Sequence, residues 1–158
     1  MKSAAIEIRR ASVKDAESIS ALASELTARH IARDFTAEGR KTILDAMTRE
    51  KITQYLEEGY RYHVAVFDGR VIGAVAMRDS RHLYHLFVHE DFQRQGIATR
   101  LWEVARDRSL AAGNPGLFTV NASLNAVPVY EKLGFIATSS SQETNGVIAV
   151  PMRLNLDR

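Results

Sequence analysis

The spacing of apolar positions divides the chain into strand-like and helix-like segments. Ile6-Glu7-Ile8-Arg9 alternates and predicts an opening strand. Ser12 with Asp15 three residues later resembles a capping box. Ile19, Leu22, Ala23 and Leu26 then form one helical face that ends near Arg29. Thr36 to Glu58 is expected to be mostly helical, with Ile43, Leu44, Met47, Ile52, Tyr55 and Leu56 inward, Thr48 as a point of division and Gly59 as a C-cap. Period two returns at Arg61 to Phe67 and at Arg70 to Arg78, joined by Asp68-Gly69, the residue pair a two-residue hairpin turn favours. A third run, His82 to Val88, extends this meander. Helical spacing reappears at Ile97, Leu101, Val104, Ala105 and Arg108, so a helix is expected from about Gln95 to Ala112, closed by Gly113 with Pro115 beyond. Leu117 to Val120 reads as a short strand and Asn125 to Leu133 as a small helix ending at Gly134. Phe135 to Ser139 and Val147 to Leu154 read as strands, with the polar stretch Ser139 to Asn145 a loop between them. Strands joined first by a hairpin and later by helical crossovers imply an α+β (mixed α/β) fold of about seven strands.

Composition narrows what such a fold can do. The 158 residues form one domain, 1–158, with no linker, repeat or low-complexity segment, and 46% apolar with 25% charged residues is ordinary for a soluble globular protein. The absence of cysteine removes disulfides, thiolate metal sites and a catalytic thiol. A net charge of +2 with no Lys/Arg block argues against nucleic acid as a partner. No run approaches the ~18 apolar residues of a membrane span. Charges interrupt Met1 to Arg10 at once, so no secretory leader is expected there. The expectation is a cytoplasmic protein with no membrane partner.

The most informative chemistry lies where the third strand of the meander meets the helix after it. Val88 is followed by Gln93-Arg94-Gln95-Gly96-Ile97-Ala98, a small-residue turn opening a helix. The first N–H groups of a helix have no partner within it, and the macrodipole favours an anion there. A side chain at Gly96, or a larger one at Ala98, would keep a phosphate from those donors. Neither the P-loop pattern nor the three-glycine dinucleotide fingerprint is present, and Gly96 taken alone could be an ordinary turn glycine.

Gln93-x-x-Gly96-x-Ala98 after Val88 resembles the Q/R-x-x-G-x-G/A motif of the GNAT superfamily of acyl-CoA-dependent N-acyltransferases. A second block, Asn121-Ala122-Ser123-Leu124-Asn125-Ala126-Val127-Pro128-Val129-Tyr130-Glu131-Lys132-Leu133-Gly134-Phe135, is similar to the family segment ending in Tyr-Glu-Lys-Leu-Gly-Phe. With the order of elements, the resemblance runs from Ile6 to Leu154. It implies a largely antiparallel mixed sheet with helices on both faces, splayed between its fourth and fifth strands so that the pantetheine arm of acetyl-CoA lies between them. It implies pyrophosphate contacts at the backbone of Arg94, Gln95, Gly96, Ile97, Ala98 and Thr99, with Gln93 or Arg94 beside them. Phe87 and Val88 fall near the pantetheine or thioester end. Tyr130 takes the role of general acid toward the departing CoA thiolate. Seven residues before that Tyr the family usually has Asn; here Ser123 stands there, flanked by Asn121 and Asn125 as alternative contacts.

The general base is harder to assign. Many relatives carry Glu or Asp on the fourth strand, and none lies between His82 and Val88. His82 and Tyr84 share the parity of Val88 on a regular strand while His85 faces the other way, which makes His82, titrating near neutrality, the better candidate. Glu25 on the first helix is a further candidate by fold analogy. A metal site at His82, His85 and His89 is set aside because a strand points 82 and 85 apart. No serine sits in a nucleophile elbow, so direct transfer is expected. The resemblance implies an N-acetyltransferase using acetyl-CoA as co-substrate, no metal and an amine acceptor, with Thr36 to Tyr60 forming one wall of the acceptor site. The runner-up is a non-catalytic acyl-CoA sensor, kept open by the missing carboxylate. An unrelated nucleotide-binding protein is a third class. An exposed edge at the C-terminal hairpin would allow a homodimer.

Overall fold

The computed structural model describes residues 5–156; residues 1–4, part of the stretch read above for a leader, and residues 157–158 lie outside it. The strands are β1 (Glu7–Arg10), β2 (Arg61–Phe67), β3 (Arg70–Arg78), β4 (His82–Val88), β5 (Leu117–Ala122), β6 (Ile136–Ala137), β7 (Gln142–Thr144) and β8 (Val147–Asn155). The helices are α1 (Ala16–Leu26), α2 (Ala37–Asp45), α3 (Arg49–Glu57), α4 (Ile97–Ala111) and α5 (Val127–Lys132). Strand order is β1-β2-β3-β4-β5-β8-β6, with β7 also paired to β8. Every neighbouring pair is antiparallel except β4–β5, which is parallel.

Each face of the sheet is covered by the helices its apolar residues demand. Ile97, Leu101, Trp102 and Ala105 of α4 pack with Ala65, Val75, Leu83 and Phe118 on one face. On the other, Ile19 of α1 and Ile52 of α3 cover Tyr62, Val64, Ala74 and Ala76. Leu22, Ala23 and Leu26 close over Met47 and Phe87. The Trp102 ring meets Phe118 and Phe135 at 5.0 and 5.3 Å, an anchor for α4 that the 3.6-residue stripe alone does not single out.

Thr48 does divide the second helical region. The Thr36 and Thr48 side chains each accept from the backbone three residues on, at Gly39 (3.0 Å) and Lys51 (3.2 Å), so α2 and α3 have separate caps. Asp15 accepts from the Ser12 N–H at 2.8 Å, and Arg9 binds both its carboxylate oxygens. The first helix does not run evenly to Arg29, since Thr27–Ile31 widens into a π-turn. The polar stretch expected as a loop instead holds a strand. Asn145 and Gly146 both have positive φ (53° and 82°), the primed turn that Asn-Gly favours, and fold β7 onto β8.

Two departures from regular pairing position the site. Opposite β3, Ala76 pairs with His85 and Met77 with Leu83, so Tyr84 is an extra residue, a β-bulge. Strand β5 pairs with β4 only at His82–Thr119 and Leu83–Val120, after which the two diverge.

Candidate active site

The divergence leaves main-chain groups without a strand partner. The N–H of His89 donates to Ile72 C=O at 2.8 Å, which makes Val88–Gly73 a non-hydrogen-bonded pair. In such a pair both amide and carbonyl point away from the neighbour, so those of Val88 face the gap toward β5, and by the same alternation so do those of Leu86. A buried strand edge of this kind needs a partner, and an extended amide-bearing arm is one. Gln93 donates its side-chain amide to the Val88 carbonyl at 2.8 Å, tying the turn to the strand end.

The turn itself is built from unusual backbone. Arg94 has φ 65° and Gly96 φ 78°, two left-handed positions on either side of Gln95. Left-handed φ at a non-glycine such as Arg94 is held by its surroundings, and such strain concentrates at binding sites. A Cβ on Gly96 would meet no atom within 4 Å, so the glycine serves its backbone angle and the open space above it. The first bond of α4 runs from Arg100 N–H to Gly96 C=O (3.1 Å), which leaves the N–H groups of Ile97, Ala98 and Thr99 without a helical acceptor. These are the groups expected to form an anion cradle, and the open space above Gly96 leaves them reachable.

Tyr130 is set by the chain after it. Gly134 takes φ 105° and the Phe135 N–H reaches back to the Tyr130 carbonyl at 3.0 Å, a Schellman-type ending to α5. The Phe135 ring then meets the Tyr130 ring edge-on at 5.9 Å. Tyr130 is 8% exposed and its phenol is pushed well above its usual value by burial, so it stays protonated throughout the physiological range. It lines a cavity of about 360 Å³ floored by β4 and β5, and Asn121 and Ser123 line the same space. The Ser123 hydroxyl donates to Asn125 Oδ1 at 2.9 Å.

The bulge overturns the parity expected of β4. Leu83, Leu86 and Val88 belong to the α4 face, whereas Tyr84 packs with the cluster beneath α1 and α3, and His85 bonds Tyr62 of that same cluster at 3.0 Å. Tyr84 and His85 therefore share a face, and Tyr84 does not share that of Val88, because the extra residue shifts the alternation by one. Tyr84 hydrogen-bonds the Tyr55 hydroxyl at 3.0 Å and sits edge-on to Tyr55 and Tyr60, each at 5.1 Å. Burial also raises the Tyr84 phenol.

The basis for choosing His82 changes as well. Its Nδ1 lies 2.8 Å from Thr119 Oγ1, and burial lowers its pKa to about 4, so it does not titrate near neutrality. Burial lowers His85 to about 3. Both histidines line the cavity as neutral rings. Glu25 is exposed on α1 and is not part of the lining. His89 accepts from the Asp91 N–H at 3.1 Å.

Sequence spacing missed three features. Glu90, just beyond β4, accepts from Arg29 at 3.2 Å and lies 2.7 Å from His30 Nε2, clasping the π-turn to the end of that strand. The tyrosine cluster at 55, 60, 62 and 84 joins residues remote in sequence. The β7–β8 hairpin forms a cavity wall through Gln142, Thr144, Val147 and Ile148. Of the three, only the hairpin has a local signal, Asn145-Gly146.

Comparison with known proteins agrees with this geometry. The family model described as an acetyltransferase (GNAT) domain matches residues 31–156. No match is found among curated protein sequences. Of solved structures, the GCN5-related N-acetyltransferase of Rhodopseudomonas palustris superposes with a TM-score of 0.82 at 22% identity, covering 99% of each chain. The PaiA N-acetyltransferase of Thermoplasma acidophilum, in complex with coenzyme A, gives 0.74 at 20% identity over 96% of this chain and 99% of that one. YncA of Salmonella typhimurium, with its cofactor acetyl-CoA, gives 0.69 at 18% identity over 98% and 95%. The splayed sheet, the left-handed turn before α4 and the family match over most of the chain converge, and the chain belongs to the GNAT family as an acyl-CoA-dependent acetyltransferase.

Proposed function

We propose that the protein transfers an acetyl group from acetyl-CoA directly to a primary amine, without an acyl-enzyme, and that Tyr130 acts as general acid. The observation that carries this reading is a buried, protonated phenol lining the same cavity as Leu86, on the stretch of β4 that β5 leaves unpaired. Acetyl-CoA supplies an acetyl group activated as a thioester. The residues do the rest. The main chain of Leu86 and Val88 pairs with the pantetheine arm, next to Phe87 on the cavity wall. The amides from Arg94 to Thr99 hold the pyrophosphate, with the Arg94 charge alongside. Asn121, Ser123 and Asn125 contact the arm from the β5 side.

Tyr130 donates toward the sulfur as the C–S bond breaks. The thiolate of a thiol with pKa near 8.5 is a weaker base than a tyrosinate, so proton delivery has to accompany cleavage rather than follow it. His82, with a pKa of about 4, is too weak to strip an ammonium near 10.4. The amine accordingly reacts from its neutral fraction and gives its proton to solvent, which in turn reprotonates Tyr130, with His82 and Tyr84 bordering its path.

The test is to follow CoA thiol release with and without a primary amine, and to weigh the protein by mass spectrometry after acetyl-CoA alone. Amine-dependent release with no acetylated protein is expected. A stoichiometric acetyl adduct formed without amine would overturn direct transfer.

A further inference from the structure

The walls of the cavity differ from its floor in a way that bears on the acceptor. Ile31 and Phe35 from the segment after α1, Ile43 of α2, Met47, and Val147 and Ile148 of the β7–β8 hairpin all face it. All six are apolar. The polar lining residues are Asn, Gln, Ser, Thr, Tyr and His, and the two histidines are neutral. Among the described residues, no side chain lining the cavity carries a formal charge at neutral pH. The nearest acidic strand position, Glu143, pairs with Ile148 but is exposed and not part of the lining.

The two walls also touch. A Cβ on Gly39 of α2 would run into the Gly146 carbonyl, and one on Gly146 would run into Thr36 Oγ1. Two glycines thus bring the hairpin turn against the start of α2 at backbone distance, with Gly39 and Gly146 both buried. This contact joins the two walls at the hairpin turn, outside the residues that line the cavity.

We infer that the acceptor is a small primary amine with an apolar, uncharged body, and not a polycation or a lysine side chain on a protein. This deepens the transferase reading above and rests on it. A second ammonium entering this cavity would lose its water with no carboxylate to replace it, a cost that the aromatic faces of Tyr84 and Phe87 only partly offset. The reacting amine itself gains from the same surroundings, because desolvation favours its neutral, nucleophilic form. Walls joined at one end favour a compact molecule over an extended chain. About 360 Å³, shared with the acetyl end of the cofactor, suits a compact body of that kind.

The experiment compares 2-phenylethylamine and hexylamine with spermidine and a lysine-containing peptide. Binding to the CoA-loaded protein is measured by calorimetry and turnover by thiol release from acetyl-CoA. The apolar monoamines are expected to exceed spermidine and the peptide by at least about 100-fold in affinity and in kcat/KM. Ile148→Asp, at a partly exposed wall position, is expected to narrow that preference by about 10-fold or more toward spermidine, with its melting temperature confirming the fold. Preference for spermidine or peptide in the wild-type protein would overturn the inference while leaving the transferase reading intact. Tight, ordered binding of the apolar amines with no thiol release would support the acceptor site and overturn the transferase reading. Failure of the apolar amines both to bind and to turn over would overturn the inference.

Discussion

On the proposed reading, the cofactor side and the acceptor side of the cavity are made from different parts of the polypeptide. The cofactor side uses backbone: main-chain groups of Leu86 and Val88 that have no strand partner, the Val88 carbonyl being held by Gln93, and the left-handed turn through Arg94 and Gly96 that leads into α4. The acceptor side uses side chains, from a π-turn, a capped helix and a hairpin that are far apart in the chain. Backbone donors are independent of side-chain identity, so one cradle serves one unvarying cofactor. An apolar wall can be re-specified by single substitutions, so the acceptor can differ where the cradle does not. Tyr130 stands where the two sides meet.

If that division holds, removing the Tyr130 hydroxyl should damage chemistry without touching the cradle. Tyr130→Phe is expected to lower kcat by about 100- to 1000-fold with CoA affinity changed by no more than about 3-fold, read by steady-state thiol release and calorimetry. An unchanged kcat would remove Tyr130 from its role. Gly96→Glu should do the opposite and weaken CoA binding by about 100-fold, since it places a carboxylate at the proposed pyrophosphate cradle. Gly96→Ala is the control, carrying only the left-handed backbone cost of about 1 kcal/mol. Retained affinity in the Glu variant would end the claim that the cradle is this turn.

The histidines test the sheet beneath the acceptor side. His82, His85 and His63 are lowered by burial from 6.5 to about 4, 3 and 4. A depressed histidine pKa means that the unfolded chain binds the proton more tightly. Stability is therefore complete above about pH 6.5 and is lost as pH falls toward 4, on the order of a few kcal/mol in all. The melting temperature should drop between pH 7 and pH 5 by several degrees; a flat profile would show that these rings are more accessible than the packing indicates. The smallest effect is expected for Gln93→Ala, which frees the Val88 carbonyl. It should weaken CoA by about 5- to 10-fold, roughly 1 kcal/mol, in calorimetry. A loss larger than that of Gly96→Glu would invert the comparison and make the cradle a side-chain site.

Much of this architecture was legible before the fold. The Asp68-Gly69 hairpin, the Thr48 division, the α4 stripe and the Gln93–Ala98 turn all depend on residues within a few positions of each other, and local chemistry decides them. Tyr130 was singled out by resemblance to a family segment, and only its helix ending, set by Gly134 and Phe135, follows from local chemistry. The parity of β4 was not. A bulge at Tyr84 arises from how β3 and β4 register against two helical layers, and no spacing within 82–88 announces it. The state of His82 was equally hidden, since Thr119 and the burying neighbours come from other elements.

By itself the sequence determined the strand and helix periods, the glycines and caps that end them, and so the turn that opens α4, because each follows from backbone geometry and neighbouring side chains. Tertiary structure alone decided which face Tyr84 and His85 share, how far the histidines are driven from their ordinary pKa, and which elements meet at the Gly39–Gly146 contact. Those depend on desolvation and on contacts such as Gly39 against Gly146, a hundred and seven positions apart in the chain, which exist only once the sheet has closed around its helices.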